Sequence, residues 1–342
     1  MTPTTITLSG APGSPYTRKM VSLLRYRRIP YTLLHFGIAG PPGLPQAKVR
    51  LLPTFYLPNA QGELEAIVDS TPIIRRLEHD FQGRSVLPTH PVIAFIDFLL
   101  EDYADEWLTK AMFHYRWHYK ADAEKAGQIL PRWSRITASD EEMAAMTKFI
   151  VERQTSRLYV VGSNDTTAPV IEASYERFLD LFNAHLKRYP FLMGNRPGAS
   201  DFATFGQLTQ LTHFDPTPMA VTMAKSPRAY AWVEICEDLS GQEPKESDWL
   251  DAANIPSTTI ALLKEFGRAY VPALLANAKA IANGAETFET EIDGKPWKQQ
   301  TFPYQAKCLQ WIRNAYADLN AVDRAAIDKI LAGTGCAVLF QK

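Results

Sequence analysis

The order of strand and helix signals in the first part of this chain constrains its fold most strongly. Runs of β-branched and aromatic residues alternate with apolar residues at helical spacing, and proline and glycine separate them. The order is strand, helix, strand, loop, two strands joined by a hairpin turn, and helix, at residues 6–8, 15–28, 31–37, 40–45, 54–57, 64–68 and 69–81. This βαβ-ββα order predicts an α/β domain over residues 1–84.

From about residue 91 the strand signals fade and helical periodicity dominates. Apolar residues at three- and four-residue steps predict one very long helix that starts at Pro91. Further helices are predicted at 140–161, 169–189, 201–213 and 226–239. We therefore expect an all-α domain over residues 90–240.

A polar segment with two prolines, 241–256, separates this helical region from the last part of the chain. Beyond it the pattern predicts a helix at 257–282, a hairpin turn at Asp293-Gly294 and a final helix pair. Residues 241–342 are thus predicted to form a mostly helical extension with one hairpin.

Composition excludes several classes of protein. Of 342 residues, 46% are hydrophobic, and the formal net charge is −1, which gives no reason to propose a nucleic-acid or membrane partner. The N-terminus has no secretory pattern and no window is apolar enough for a membrane span, so we expect a soluble, cytoplasmic protein. The scattered Cys236, Cys308 and Cys336 have no metal-ligand spacing, so we expect reduced structural thiols and no metal.

Three short segments carry candidate chemistry. In GAPGSPYTRK, Ser14 lies where a strand passes into a helix, and the free amides there favour an anion. In LLPTF, a cis Leu52-Pro53 bond would leave a backbone edge free to pair with an extended peptide. The pair Asp69-Ser70 starts another helix and suits an amine and a carboxylate. Singly, each segment is more often a helix cap or an edge proline; their order and the helical region that follows favour a binding site.

The segments SPYTRKMVSLLRYRRIPY, LLPTF and VDSTPIIRRLE resemble the three signature segments of the glutathione transferase superfamily. FLMGNRPGASDFATFGQLTQL resembles the core helix of that family's C-terminal domain. The resemblance covers about residues 5–240. It implies a thioredoxin-like, glutathione-binding domain at 1–84, a helical substrate and dimer domain at 90–240, and an extension, 241–342, past the end of a typical member.

The resemblance also implies roles for single residues. Ser14 would donate a hydrogen bond to the glutathione sulfur, with Tyr16 or Thr17 in its place if the register differs. Because residues 14–17 contain no cysteine, the thiol-exchange branch of the superfamily is disfavoured.

For the rest of glutathione, the resemblance implies binding by backbone and side chains. The Leu52 backbone, beside cis Pro53, would pair with the cysteinyl part, and Asp69 and Ser70 would bind the γ-glutamyl amine and carboxylate. Lys48 or Arg50 would bind the glycyl carboxylate. The alternative for both residues is that they are solvent-exposed charges of the loop with no binding role.

The aromatic residues of the long helix have two interpretations. By resemblance Tyr103, Trp107 and Tyr115 are candidates to line the pocket of the electrophilic substrate, and core packing is the alternative. His114 and His118 lie one turn apart, but no third ligand accompanies them.

One departure from the family concerns the cap of the core helix. A Ser or Thr is usual three residues before Asp201, whereas this chain has Gly198 there, with Ser200 as a possible shifted cap.

The resemblance therefore implies a homodimeric glutathione transferase with a role in detoxification. Glutathione, bound as a thiolate, would attack a small, largely apolar electrophile. A non-catalytic glutathione-binding or interaction protein of the same fold is the alternative, and a glutathione-dependent thiol or peroxide reductase is a third.

Overall fold

The computed structural model describes residues 5–37 and 40–341 and begins with a four-stranded mixed sheet. The strand order is β2-β1-β3-β4, with β1 parallel to β2 and antiparallel to β3, and with β3 antiparallel to β4. The strands are β1 (Ile6–Ser9), β2 (Tyr31–Leu34), β3 (Thr54–Pro58) and β4 (Leu64–Ile67). Helices α1 (Pro15–Tyr26) and α2 (Ser70–Asp80) share one hydrophobic cluster with them. The predicted βαβ-ββα order of a thioredoxin-like domain is confirmed.

A helical region follows, as predicted. Its elements are α3 (Pro91–Tyr103), a π-helical turn (Ala104–Leu108), α4 (Thr109–His118), α5 (Lys120–Ile129), α6 (Asp140–Thr155), α7 (Ala168–Leu186), α8 (Ala199–Leu208), a second π-helical turn (Thr209–Phe214), α9 (Pro216–Lys225) and α10 (Pro227–Cys236). The very long predicted helix is the run from α3 through the π-helical turn to α4. Helices α5 and α9 were not predicted. The prolines of α9 occupy the first turn, where a helix tolerates them but a sequence pattern suggests a loop.

The extension contains the predicted helices and hairpin. It consists of α11 (Ser257–Glu265), a third π-helical turn (Phe266–Tyr270), α12 (Val271–Ala282), β5 (Thr287–Ile292), β6 (Lys295–Gln300), α13 (Pro303–Asp318) and α14 (Ala321–Leu331). Asp293 and Gly294 have φ of 53° and 71°, the left-handed backbone that a tight two-residue hairpin turn requires.

The extension packs into the core of the helical region. The centroid of the buried Trp297 ring lies 5.3 Å from that of the Trp107 ring, and the centroid of the Tyr270 ring lies 6.1 Å from that of the same Trp107 ring. Residues of the sheet, the helical region and the extension form one hydrophobic cluster. The domain boundaries 1–84, 90–240 and 241–342 stay predictions. Residues 1–4, 38–39 and 342 of these domains lie outside the described residues.

None of the helices described for residues 5–37 and 40–341 has both the length and the apolar character that a membrane crossing needs.

The unusual Gly198 cap has a physical reason. Asp97 of α3 is buried, and its carboxylate accepts hydrogen bonds from the amides of Ala199 (3.2 Å) and Ser200 (3.0 Å). A Cβ at position 198 would lie 2.4 Å from Asp97 Oδ1. Asp97 therefore replaces the missing cap side chain and requires glycine beside it, and Ser200 is not a shifted cap, because the helix is capped at Gly198.

We expect Asp97→Ala to lower the free energy of unfolding by about 1–3 kcal/mol, since it leaves the buried Ser200 amide without an acceptor. The Ala199 amide keeps the Val86 carbonyl at 3.0 Å. Gly198→Ser alone should also destabilise the protein, because its Cβ meets Asp97. Combined with Asp97→Ala, the new serine loses its nearest clash, though its Cβ still lies 2.7 Å from the flexible Met193 side chain, which must shift. The serine can then cap the helix, and about 1 kcal/mol should be regained. Denaturant unfolding of the two single variants and the double variant measures this coupling, and strictly additive losses would contradict it.

Candidate functional site

Ser14 lies beside the backbone edge that precedes β3. It caps α1, and its half-buried hydroxyl accepts a hydrogen bond from the Thr17 amide at 3.2 Å. The same hydroxyl donates to the Leu52 carbonyl at 3.2 Å, and the Leu52-Pro53 bond is cis. Within the described residues, 5–37 and 40–341, the Leu52 amide has no hydrogen-bond partner. Thus a helix N-terminus, a hydroxyl and a free peptide edge meet at one place.

Tyr16 and Thr17, the alternatives to Ser14, make contacts elsewhere. The Tyr16 hydroxyl donates to the Asp105 carbonyl at 2.7 Å, and burial raises the pKa of its phenol well above the usual value. Thr17 is 2% exposed, and its hydroxyl accepts a hydrogen bond from the Ala11 amide at 3.4 Å. Among the three hydroxyls, that of Ser14 is the one directed at the Leu52 edge.

Two residues of the helical region fix the loop that carries Ser14. Arg116 Nη1 donates to the Gly13 carbonyl at 2.9 Å, and Gln210 Nε2 donates to the Pro12 carbonyl at 3.0 Å. Arg116 also binds Gln210 Oε1 at 2.7 Å and both oxygens of buried Asp215 at 3.0 Å. Nothing in the local sequence identifies Arg116 or Gln210 as supports of a loop about a hundred or more positions away.

The second predicted segment, Asp69-Ser70, lies at the start of α2. Asp69 has a φ of 86° and its half-buried carboxylate accepts a hydrogen bond from the Tyr304 hydroxyl at 2.9 Å. Burial raises the pKa of Asp69, and the Tyr304 hydrogen bond opposes that rise. Ser70 is buried, and its hydroxyl accepts a hydrogen bond from Lys19 Nζ at 3.1 Å.

A buried ionic network lies beneath Ser70. Lys19 is fully buried, and its Nζ binds Glu101 Oε1 at 2.9 Å and Asp105 Oδ2 at 2.6 Å. Arg75 Nη1 binds the other oxygen of Glu101 at 2.7 Å. Although burial opposes it, the charges of Arg75 and Lys19 lower the pKa of Glu101 to about 2. We did not predict these residues; a lysine within the apolar face of α1 was the signal available in the sequence.

Lys48 and Arg50 are exposed in the loop before Leu52. Neither makes a side-chain hydrogen bond or an ion pair to another part of the chain that the structure describes. Their role toward a carboxylate stays a prediction.

Tyr103, Trp107 and Tyr115 lie in the core, with exposures of only 3%, 2% and 2%. The Trp107 indole donates to Ser174 Oγ at 3.0 Å. Aromatic rings surround all three: Tyr103 packs on Phe178 and Phe266, Trp107 on Tyr270 and Trp297, and Tyr115 on Tyr119 and Tyr175. The structure places them in the alternative role, core packing, rather than around an open pocket: the extension covers Tyr103 and Trp107, and residues of the helical region surround Tyr115.

His114 is a buried histidine with partners on both nitrogens. Nδ1 lies 2.7 Å from Ser163 Oγ and Nε2 lies 3.0 Å from Glu172 Oε1, while burial lowers its pKa. Within the described ranges no group of three or more His, Cys, Asp or Glu side chains is arranged to hold a metal ion.

Two family models match the chain in the expected order. The model described as glutathione S-transferase, N-terminal domain, matches residues 8–85, and the one described as glutathione S-transferase, C-terminal domain, matches residues 148–234. The chain belongs to the glutathione transferase superfamily. No curated protein matches it.

Solved glutathione transferases are similar at low identity. A family member from Pseudomonas fluorescens pf-5 with two glutathione bound has 14% identity and a TM-score of 0.41, covering 69% of this chain and 89% of that chain. The enzyme from Methylobacterium radiotolerans JCM 2831, in complex with glutathione sulfonate, has 16% identity and a TM-score of 0.35 over 71% and 99%. A Tau class enzyme from mango, Mangifera indica, has 17% identity and a TM-score of 0.38 over 72% and 93%. Membership rests on the family models, not on these likenesses.

We expect Lys19→Met to lower the free energy of unfolding by about 3–5 kcal/mol, because buried Asp105 loses its cation and buried Glu101 keeps only that of Arg75. Lys120→Met is the matched control: its partner Glu124 is exposed, so the loss should stay below about 0.5 kcal/mol. Adding Asp105→Asn to Lys19→Met should recover part of the loss. Equal effects of Lys19→Met and Lys120→Met in denaturant unfolding would contradict the role given to Lys19.

Proposed function

We propose that this member of the superfamily is an enzyme that binds glutathione and holds its sulfur as a thiolate beside Ser14. The observation that carries the proposal is the position of the Ser14 hydroxyl, at the start of α1 and 3.2 Å from the carbonyl of the residue before cis Pro53. An extended peptide that pairs with the free Leu52 amide would bring its cysteinyl side chain to this hydroxyl.

The energetics suit thiol activation. A free thiol has a pKa of about 8.5, and lowering it by two units takes about 2.7 kcal/mol. A hydrogen bond to a charged group contributes about 1.5–3 kcal/mol, and the helix dipole adds about 0.3–1 kcal/mol. The thiolate would then attack an electrophilic carbon, and the leaving group would depart with the electron pair of the broken bond.

The remaining contacts complete the proposal. Asp69 would bind the γ-glutamyl ammonium and Ser70 the adjoining carboxylate, while exposed Lys48 or Arg50 would meet the glycyl carboxylate. Residues for the small, apolar electrophile are not assigned, since Tyr103, Trp107 and Tyr115 are buried. A homodimer in the cytoplasm and a role in detoxification belong to the same proposal.

A second candidate is a non-catalytic glutathione-binding protein. The burial of Tyr103 and Trp107 beneath the extension, and of Tyr115 within the helical region, favours it, because a conjugating enzyme needs space for an electrophile next to the sulfur. Glutathione binding without conjugation of any of several aryl and alkyl halides would support this candidate over the enzyme.

A thiol or peroxide reductase is disfavoured by the cysteines. Cys236, Cys308 and Cys336 are all buried, and burial raises the pKa of each thiol, to about 11 for Cys336. A nucleophilic cysteine needs exposure and a lowered pKa. An intact-mass measurement after treatment with oxidised glutathione tests this, and a mixed disulfide on the native protein would favour the reductase.

Ser14→Ala should raise the pKa of bound glutathione by one to two units, about 1.4–2.7 kcal/mol, because the hydrogen bond to the thiolate is lost. Ultraviolet absorbance of the thiolate against pH measures this directly, and kcat/KM for an aryl halide should fall about 10- to 100-fold at neutral pH. Tyr16→Phe and Thr17→Val are the matched controls, and neither should move the thiol pKa. An unchanged pKa in Ser14→Ala, or a shift in either control, would contradict the assignment.

A further inference from the structure

The extension places a side chain on the predicted γ-glutamyl subsite. Tyr304, in the first turn of α13, donates its hydroxyl to Asp69 Oδ2 at 2.9 Å. Neither family model reaches residues 241–342, so this contact joins a family segment to a part of the chain outside it. One oxygen of Asp69 is occupied by Tyr304, and the other keeps its capacity to accept hydrogen bonds.

The start of α13 is firmly held. The Asn277 side chain of α12 donates to the Phe302 carbonyl at 2.9 Å and accepts from the Phe302 amide at 2.8 Å. Next to Tyr304, buried Gln305 donates through Nε2 to Glu106 Oε2 at 3.1 Å. These bonds lie on both sides of Tyr304, so its position over Asp69 is fixed by the core and not by a loose tail.

Lys307 lies one turn after Tyr304 on the same helix. Its ammonium is 5.7 Å from the centroid of the Tyr304 ring and 4.2 Å from that of Trp311. The side chain is exposed, and its charge acts on Asp69, where it lowers the pKa of the carboxyl against the effect of burial. Across the described part of the chain Lys307 forms no ion pair.

We propose that the extension completes the γ-glutamyl subsite: Tyr304 orients the Asp69 carboxylate toward the α-ammonium of glutathione, and Lys307 binds its α-carboxylate. This inference rests on the proposed function. Tyr304 is a positioning residue, since it acts through Asp69, and Lys307 is a binding residue.

The charges of the ligand match this arrangement. The γ-glutamyl end carries an ammonium and a carboxylate on one carbon, so its binding site needs an anion and a cation close together. Asp69 supplies the anion, and Tyr304, by occupying one oxygen, directs the other toward the ligand. The Ser70 hydroxyl accepts a hydrogen bond from Lys19 and keeps its own proton to donate to the α-carboxylate, and Lys307, exposed one turn after Tyr304, supplies the cation.

Calorimetric titration of the full chain with three ligands tests the proposal. The ligands are glutathione, glutaryl-Cys-Gly, which lacks the α-amino group, and 4-aminobutyryl-Cys-Gly, which lacks the α-carboxylate. We expect Tyr304→Phe to weaken glutathione binding about 5- to 10-fold but to leave glutaryl-Cys-Gly binding unchanged. We expect Lys307→Met to weaken glutathione binding about 2- to 5-fold but to leave 4-aminobutyryl-Cys-Gly binding unchanged.

Matched controls are available in the same part of the chain. Tyr316→Phe removes another tyrosine–aspartate hydrogen bond of α13, that of Tyr316 to Asp328 Oδ1 at 2.6 Å, and Lys329→Met removes another exposed lysine. Both should keep wild-type affinity for all three ligands. Thermal unfolding of each variant establishes that it is folded at the titration temperature, and the exposed Lys307→Met tests the proposal even if Tyr304→Phe unfolds.

The other outcomes are distinct. Wild-type protein that binds no glutathione overturns the proposed function itself. If wild type binds glutathione, then unchanged affinity in both variants, or equal losses for all three ligands, overturns only the role of the extension. Tighter binding by Tyr304→Phe overturns it as well, because Tyr304 would then block the subsite rather than complete it.

Discussion

One buried ammonium, that of Lys19, joins the two helix starts of the candidate site to the helical region beneath them. It belongs to α1, and its partners are Ser70 at the start of α2, Glu101 of α3 and Asp105 of the first π-helical turn. Burying a charge is costly unless opposite charges and hydrogen bonds surround it, and here all three contacts are made. Because the same cation contacts these elements, the helix starts that carry Ser14 and Asp69 keep a fixed separation.

The fold could be predicted from short-range patterns, since helical spacing and strand alternation indicate most of its elements. The proximity of Ser14 and Leu52 was instead implied by the family resemblance, which assigns both to the cysteinyl part of glutathione. The supports of the site could not be predicted in this way. Arg116 contacts Gly13, and Tyr304 contacts Asp69, only because the whole chain has folded, and no local pattern encodes such pairings. The aromatic residues of the long helix were ambiguous for the same reason, since their exposure depends on how the helical region and the extension pack.

Departures from the family pattern are compensated locally. Gly198 has no side chain to cap the core helix, yet its neighbouring amides are satisfied by Asp97 from α3. The helix α8 is thus capped by a residue of α3 rather than by a residue of its own, and the same hydrogen bonds hold α3 against α8. A missing motif residue is therefore a reason to search for a substitute in space, not a reason to doubt the fold.

The contact between Trp107 and Trp297 has a consequence for synthesis. A ribosome makes the long helix well before the hairpin that covers it, so a growing chain carries an open aromatic surface until β6 has left the exit tunnel. The sheet and its two helices can form early, but the helical region lacks part of its core until near the end of translation. Premature termination within the extension would thus yield an aggregation-prone product with an exposed aromatic surface, rather than a shorter folded protein.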